Sequence, residues 1–451
     1  MKAFVSFSVC VPVFAVALTL AASRPVAAQG QSDRDYIVTF SDGVDAPARG
    51  RAAAAAGGVT VRVFRGVRAA AVRVPTNAAL ARLAADPSVL SIVPDRVVSA
   101  FQSDVAAKAK GGKSGRGGGG GGGGGGGETP PPPPPPSTST QVTPAGVVRV
   151  GMPTTSSNGS GIGVAVLDTG VDLTHADLTG TVNAFSTYGS SCRDDNGHGT
   201  HVAGIVGARN NTVGVVGVAP AAGLYCVKVL DASGYGSDAT LMAGLDWVLD
   251  VHAAVTPAIR VVNMSLGRPG FAGDNPAMHD LIIALERAGV AVVVAAGNNA
   301  TVDVSQMVPA SYPEVIAVAS TTAVTGTNGC TSVSAIAADT ASYFTTDGVG
   351  VAISAPGEES ESISTACGIS TVGILSTQLG GGTVRMSGTS MAAPHVTGVV
   401  ARYFQQAPAS SVAYIRQYLQ DNAARAGTAP LNSPTSTYTF DGLREGIAKA
   451  P

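Results

Sequence analysis

Val164-Ala165-Val166-Leu167-Asp168-Thr169-Gly170 reads as an apolar strand that ends on a carboxylate and a turn. Four apolar residues bounded by such a turn suit a strand buried on both faces. Comparable runs recur at 224–229, 261–264, 290–295 and 315–320, each separated by a stretch long enough for a helix. Strands alternating with helices imply crossover connections and a mostly parallel sheet covered on both sides, an α/β domain that begins near Gln141 and runs to residue 451.

Upstream of Gln141 that rhythm is absent. Residues 1–28 carry one positive residue at Lys2, an apolar run over 3–22 and the small-residue exit Val26-Ala27-Ala28, the layout of a secretory signal peptide cut after Ala28. Residues 29–101 read as a small α+β module. Strands are predicted at 36–40, 59–65, 69–74 and 89–98, with helices at 46–56 and 77–85. Residues 102–140 read as a linker, with a basic patch at 108–116, unbroken glycine at 117–127, proline at 130–136 and Ser137-Thr138-Ser139-Thr140. Polyglycine is a floppy coil and polyproline a stiff rod, so neither can bury a core.

The chain has 451 residues, 45% of them hydrophobic, and a formal net charge of −2. That is ample for a large core and gives no basic field for nucleic acid. The basic patch lacks the interleaved aromatics of single-strand binders. The protein is therefore expected to be secreted, monomeric, and free of nucleic acid and, once the signal is removed, of membrane. Of its five cysteines, Cys10 leaves with the signal, and Cys192, Cys226, Cys330 and Cys367 suit two disulfides in an oxidising compartment. Three connectivities are open; pairing of sequence neighbours, Cys192–Cys226 and Cys330–Cys367, is the one expected.

Three segments carry chemistry: the strand ending on Asp168, Asn196-Gly197-His198-Gly199-Thr200-His201-Val202-Ala203-Gly204, and Ser387-Gly388-Thr389-Ser390-Met391-Ala392-Ala393-Pro394-His395. In a parallel sheet, functional residues gather beyond the carboxyl ends of the strands, where Asp168 falls. A serine at a helix N-terminus sits among free N–H groups, which favours developing negative charge. A serine hydroxyl is a poor nucleophile, so a neutral histidine must take its proton. A carboxylate must fix that histidine's tautomer and stabilise the imidazolium. Asp168, His198 and Ser390 supply those three parts.

The three segments, in this order, resemble the signature motifs of the subtilisin-like serine protease (subtilase) family. The resemblance extends over roughly residues 141–448, including the Asn210-Asn211 pair and Gly217-Val218-Ala219-Pro220. It implies a subtilisin-like three-layer α/β/α fold preceded by an inhibitor-like α+β propeptide, and a serine endopeptidase made as an autoprocessed zymogen. Its partners would be protein or peptide substrates and its own propeptide, acting as intramolecular chaperone and inhibitor.

Residue by residue, the resemblance implies an oxyanion hole made by the Asn298 side chain and the Ser390 backbone N–H. Ser265, Leu266 and Gly267 would pair with extended peptide. Ala295, Ala296 and Gly297 would wall the specificity pocket, with Met307 at its base, so an apolar or aromatic residue is preferred before the cut bond. A structural calcium would take the side chains of Asp177, Gln141 and Asn211 and the carbonyls of Arg209, Val213 and Val215, an oxygen set that suits a hard cation. A second, weaker cation site near Ala310 and Tyr312 remains open. Phe101–Gln102 would be the first bond cut. Here the sequence departs from the family, because the linker intervenes before Gln141-Val142-Thr143-Pro144-Ala145-Gly146, which looks like the mature start; trimming near Thr140 is expected. His201, His395, His175 and Asp172 read as framework.

Other chemistries fit less well. An aspartic protease needs two carboxylates sharing a proton, and the Asp168-Thr169-Gly170 motif has no second copy. A zinc hydrolase built on His198 and His201 lacks the His-Glu-x-x-His pattern. Gly159-Ser160-Gly161-Ile162-Gly163 precedes a strand, whereas a dinucleotide-binding turn follows one. A catalytically dead binding protein of the same fold would not need an intact triad. Because His198 must be neutral to act as base, activity is expected to rise through about pH 6 to 8.

Overall fold

The computed structural model describes residues 34–101, 140–152, 157–330, 335–434, 436 and 441–451. The predicted signal peptide with its Ala28 end, and the linker over 102–139, lie outside the described residues.

The N-terminal module contains β1 (Asp35–Phe40), α1 (Ala46–Ala55), β2 (Val59–Val63), β3 (Ala69–Arg73), α2 (Asn77–Ala84) and β4 (Val89–Pro94). Its strands form an antiparallel sheet in the order β2-β3-β1-β4. Asp45 and Thr76 cap the two helices by accepting from Ala48 N and Ala79 N, which satisfies otherwise free N–H groups of the first turn. One sheet face buries Val38, Phe40 and Val72 with Ala53 and Leu83 of the helices. The opposite face, with Ile37, Ala69 and Ala71, shares a core with the α/β body.

The strand predicted at 89–98 is broken in two. β4 stops at Pro94, and β5 (Val97–Ala100) leaves the module sheet for another one. Proline has no N–H with which to continue a ladder. Asp95 beyond it accepts from Ala239 N at 2.9 Å, and Asp238 N donates to Arg96 O at 2.9 Å. The chain is thereby turned onto the body.

The body follows as α3 (Ala145–Arg149), β6 (Gly163–Asp168), β7 (Val182–Ser186), α4 (His198–Gly207), β8 (Gly223–Lys228), β9 (Tyr235–Ser237) and α5 (Asp238–Val251). Next come β10 (Ile259–Met264), β11 (Leu266–Pro269), α6 (Pro276–Arg287), β12 (Ala291–Ala295), β13 (Met307–Val308), β14 (Ile316–Thr322), β15 (Gly326–Thr327) and β16 (Ala335–Ile336). The last elements are β17 (Val351–Ile363), β18 (Ile369–Thr377), β19 (Thr383–Met386), α7 (Thr389–Gln406) and α8 (Val412–Asp421). The main sheet has nine strands in the order β19-β18-β17-β14-β12-β10-β6-β8-β7. It is parallel from β7 to β17 and antiparallel at the β17–β18–β19 edge.

Alternation along the strands fills two cores. Val164, Val166, Val261 and Val293 pack with Val202, Val396 and Val399 of α4 and α7. Ala165, Leu167, Val262 and Val294 pack with Leu241, Leu245, Met278 and Leu281 of α5 and α6. Helices therefore cover both faces, giving the three-layer α/β/α architecture expected. Among the described residues no helix is long and apolar enough to cross a membrane.

Candidate active site

Asp168 is the last residue of β6, His198 the first of α4, and Ser390 the second of α7; all three are fully buried. Gly197, at φ 108°, turns the chain into α4 in a conformation that side chains rarely adopt. Gly199 lets α4 approach β6, because a Cβ there would lie 2.1 Å from Gly170 O. His198 Nδ1 consequently meets Asp168 Oδ1 at 2.8 Å. Burial opposes a charged imidazole, but the Asp168 carboxylate outweighs it and holds His198 above the ordinary histidine range.

Ser390 Oγ lies 2.8 Å from Phe101 O and 3.0 Å from Ser265 O, and its single proton can serve either. His198 Nε2 has no hydrogen-bond partner among the described residues. The Phe101 carbonyl also accepts from Asn298 Nδ2 at 3.0 Å. Asn298 is held in that orientation because its Oδ1 accepts from Thr389 N at 2.9 Å and Thr389 Oγ1 at 2.8 Å. A flipped amide would set its NH2 against the Thr389 N–H and its oxygen against the Phe101 carbonyl, losing the bonds to both. Gly388, at φ 149°, keeps the approach open, since a Cβ there would lie 2.9 Å from Phe101 O.

β5 delivers that carbonyl. It pairs antiparallel with β11 through Leu266↔Ala100 and Gly267↔Ser99, and with β9 through Val97↔Ser237, Val98↔Gly236 and Ser99↔Tyr235. Of the predicted peptide-pairing residues, Ser265 accepts from Phe101 N at 3.4 Å. Gly267 faces the Phe101 ring, whose Cζ is 2.6 Å from where a Cβ would sit. Ala295, Ala296 and Met307 are buried, and Met307 Cε lies 3.1 Å from the Cβ position of Gly297. The Val308–Pro309 bond beside it is cis.

Sequence reasoning missed two features. The β9 rail was not foreseen, because Tyr235-Gly236-Ser237 is too short and glycine-rich to signal a strand. The chain of bonds under Ser390 was missed as well: Thr397 Oγ1 donates to Asn263 Oδ1, Asn263 Nδ2 to Ser265 Oγ, and Ser265 Oγ to Ser390 O. The signal available was Asn263, a polar residue following Val261 and Val262 in a strand of the buried sheet. His201 and His395 are fully buried, and burial pushes them down to about 3 and about 4. Their rings bond to backbone carbonyls of Ile374 and Met391.

The predicted calcium residues also converge. Gln141 Nε2 donates to Arg209 O at 2.7 Å, Val215 O at 3.1 Å and Asn211 Oδ1 at 3.2 Å. Asp177 accepts from Asn211 Nδ2 at 3.0 Å and Val215 N at 2.9 Å. Val213 N donates to Asn211 Oδ1 at 2.9 Å, and Val213 bridges to the backbone of Thr140. Turning the Gln141 amide would point a fourth oxygen at the locus that Arg209 O, Val215 O and Asn211 Oδ1 already face, an all-oxygen set that fits calcium. Ala310 and Tyr312 are buried, with Tyr312 stacked on His279. The sulfurs of Cys192 and Cys226, and of Cys330 and Cys367, are at bonding distance, with Cα separations of 5.9 and 5.0 Å.

The model of the subtilase family matches residues 159–438. M-protease of Shouchella clausii (strain KSM-K16) is 37% identical over 298 residues, 65% of this chain and 68% of that protein. Subtilisin Savinase of Lederbergia lenta is 37% identical over 295 residues, 64% of this chain and 95% of that one. Among solved structures, fervidolysin from Fervidobacterium pennivorans, described as a keratinolytic enzyme related to subtilisin, superposes with a TM-score of 0.64 at 23% identity. That likeness, which concerns the fold, covers 93% of this chain and 60% of fervidolysin. The family match spans well over half of the residues, and the protein belongs to the subtilase family of serine-type endopeptidases.

Proposed function

We propose that the protein is a secreted endopeptidase made as a zymogen, in which Asp168, His198 and Ser390 form the catalytic triad and Asn298 the oxyanion hole. The observation that carries this reading is the Phe101 carbonyl, which rests against both Ser390 Oγ and Asn298 Nδ2. In each turnover Ser390 Oγ swings from the carbonyl oxygen toward His198 Nε2, gives it the proton and bonds to the carbonyl carbon. Asn298 Nδ2–H and the Ser390 N–H stabilise the resulting oxyanion. The imidazolium, steadied by Asp168, protonates the leaving amine as the peptide bond breaks. Water then enters, loses a proton to His198 and bonds to the acyl carbon, and the bond to Ser390 Oγ breaks as His198 returns the proton to that oxygen and the acid leaves.

In this reading residues 1–28 are the signal peptide, 29–101 an inhibitory propeptide, 102–140 the linker and 141–451 the peptidase. Phe101–Gln102 is cut first, and trimming near Thr140 frees Gln141. The ring of Phe101 against Gly267, with Gly297 and Met307 as further pocket wall, supports a preference for an apolar or aromatic residue before the cut bond. Asp177, Gln141, Asn211, Arg209, Val213 and Val215 would hold a structural calcium, which ties Gln141 to the loop 209–215. The neighbouring cysteine pairs support export to an oxidising compartment.

Casein hydrolysis tests the mechanism. Ser390→Ala should lower it by about 10⁶-fold, the size of loss measured in subtilisin, and phenylmethylsulfonyl fluoride should abolish it in the parent. Hydrolysis that persists in Ser390→Ala sinks the serine mechanism.

A further inference from the structure

Two buried glutamates, Glu358 and Glu361, lie on the strand that contacts the loop carrying Ser390, and the proposed mechanism does not use them. β17 pairs with β18 through Glu361↔Thr371 and Glu358↔Gly373, with a register shift between Glu358 and Ser360. Thr371 and Gly373 are two apart and share a face of β18. Their partners Glu361 and Glu358 therefore share it too, although they are three apart in sequence. The bulge is what brings the two carboxylates together.

Both glutamates are wholly buried. Both oxygens of Glu358 and Oγ1 of Thr371 are buried without a hydrogen-bond partner. The hydroxyls of Ser342, Ser387 and Thr371 face Glu358, yet none closes a hydrogen bond of normal geometry with it. A buried carboxylate in that state is costly unless something positive joins it. Glu361 Oε2 accepts from Tyr343 N at 3.2 Å and Ser342 Oγ pairs with Ser320 Oγ at 2.7 Å, so the unmet demand rests on the two oxygens of Glu358 and on Thr371 Oγ1, oxygen donors of the kind a calcium ion takes.

We propose that Glu358 and Glu361, with the hydroxyls of Ser342, Thr371 and Ser387, bind one hard divalent cation of calcium's class. Two carboxylates balance its charge, and hydroxyls complete an oxygen-only shell. The ion ties the β17–β18 hairpin to the nucleophile loop, since Gly388 N also donates to Gly357 O at 3.1 Å.

The test counts ions, using calcium alone as probe, on the metal-stripped full chain carrying Ser390→Ala so that processing does not intervene. Equilibrium dialysis at pH 8 should find one fewer calcium per chain in Glu358→Gln and in Glu361→Gln. The loss should add to that caused by Asp177→Asn, so that each site is read separately. Thr371→Val should weaken the same ion by about tenfold, and this variant decides if Glu358→Gln does not fold. Calcium should also raise the unfolding temperature of Asp177→Asn but not of Asp177→Asn with Glu358→Gln. A folded Glu358→Gln chain, or a Thr371→Val chain, that binds as much calcium with the same affinity as its parent overturns the proposal.

Discussion

Strand β12 of the body is buried at all five positions, whereas β2 of the N-terminal module has no buried residue. The body fills a core on each face of its sheet. The module closes only one, and four of its nine core residues are alanine. Its other face, with Ile37, Phe64 and Ala69, is buried in the core centred on α5 and α6 of the body. A domain of this size buries little surface by itself and is marginal in isolation. The module thus relies on the body to bury the second face of its sheet. That asymmetry suits a segment that is to be cut and released.

The sharpest way to separate the two regions is to damage the site while leaving the docking face alone. Asn298→Ala should cost about 10²- to 10³-fold in kcat, the range seen for the equivalent donor in subtilisin, while the isolated module still inhibits the mature enzyme. An equal collapse of inhibition would mean that the Phe101 carbonyl contact, rather than the shared core, holds the module. The reciprocal change is Phe64→Ala, which empties a wholly buried position in the shared core. It should weaken inhibition by the module about a hundredfold and leave the kcat of the mature enzyme unchanged. Unaltered inhibition would show that the module does not depend on that face.

A pH sweep should give the smallest effect. Burial on docking, followed in size by the Ala239 N–H bond that opposes it, leaves Asp95 raised to about 7. The free module should show an ordinary value near 3.9. Docking then takes up a proton, so this contribution is complete below about pH 4 and is lost as pH rises through about 7. Inhibition should be about ten- to a hundredfold tighter at pH 5 than at pH 8, and Asp95→Asn should flatten the slope. Over the same sweep hydrolysis should rise, with an acid-side midpoint above about 6.5, because Asp168 raises His198. A slope of inhibition with the opposite sign would remove Asp95 from the account.

What the sequence disclosed divides along the same line. β6, β8, β10, β12 and β14 were legible because strands buried on both faces must be nearly continuous in apolar residues. Asp168, His198 and Ser390 were legible because each follows a strand or opens a helix within a recognisable motif. The break at Pro94-Asp95-Arg96 was not, since Asp95 turns in order to cap a helix some 140 residues away, a contact no local pattern records. The 13-residue β17 was equally hidden. Its second half, Gly357-Glu358-Glu359-Ser360-Glu361-Ser362, carries the composition of a solvated loop. It is a strand because β14 and β18 hold it, and its two buried glutamates follow from a bulge in that pairing.

The central claim is that the module's tail is bound as the first substrate of the site. Mass spectrometry of the newly folded chain tests it most directly, by mapping the first cleavage in the parent and in Ser390→Ala. The account expects an N-terminal fragment ending at Phe101 in the parent and an intact chain in the variant. A first cut at another bond, or the same fragment from Ser390→Ala, would contradict it.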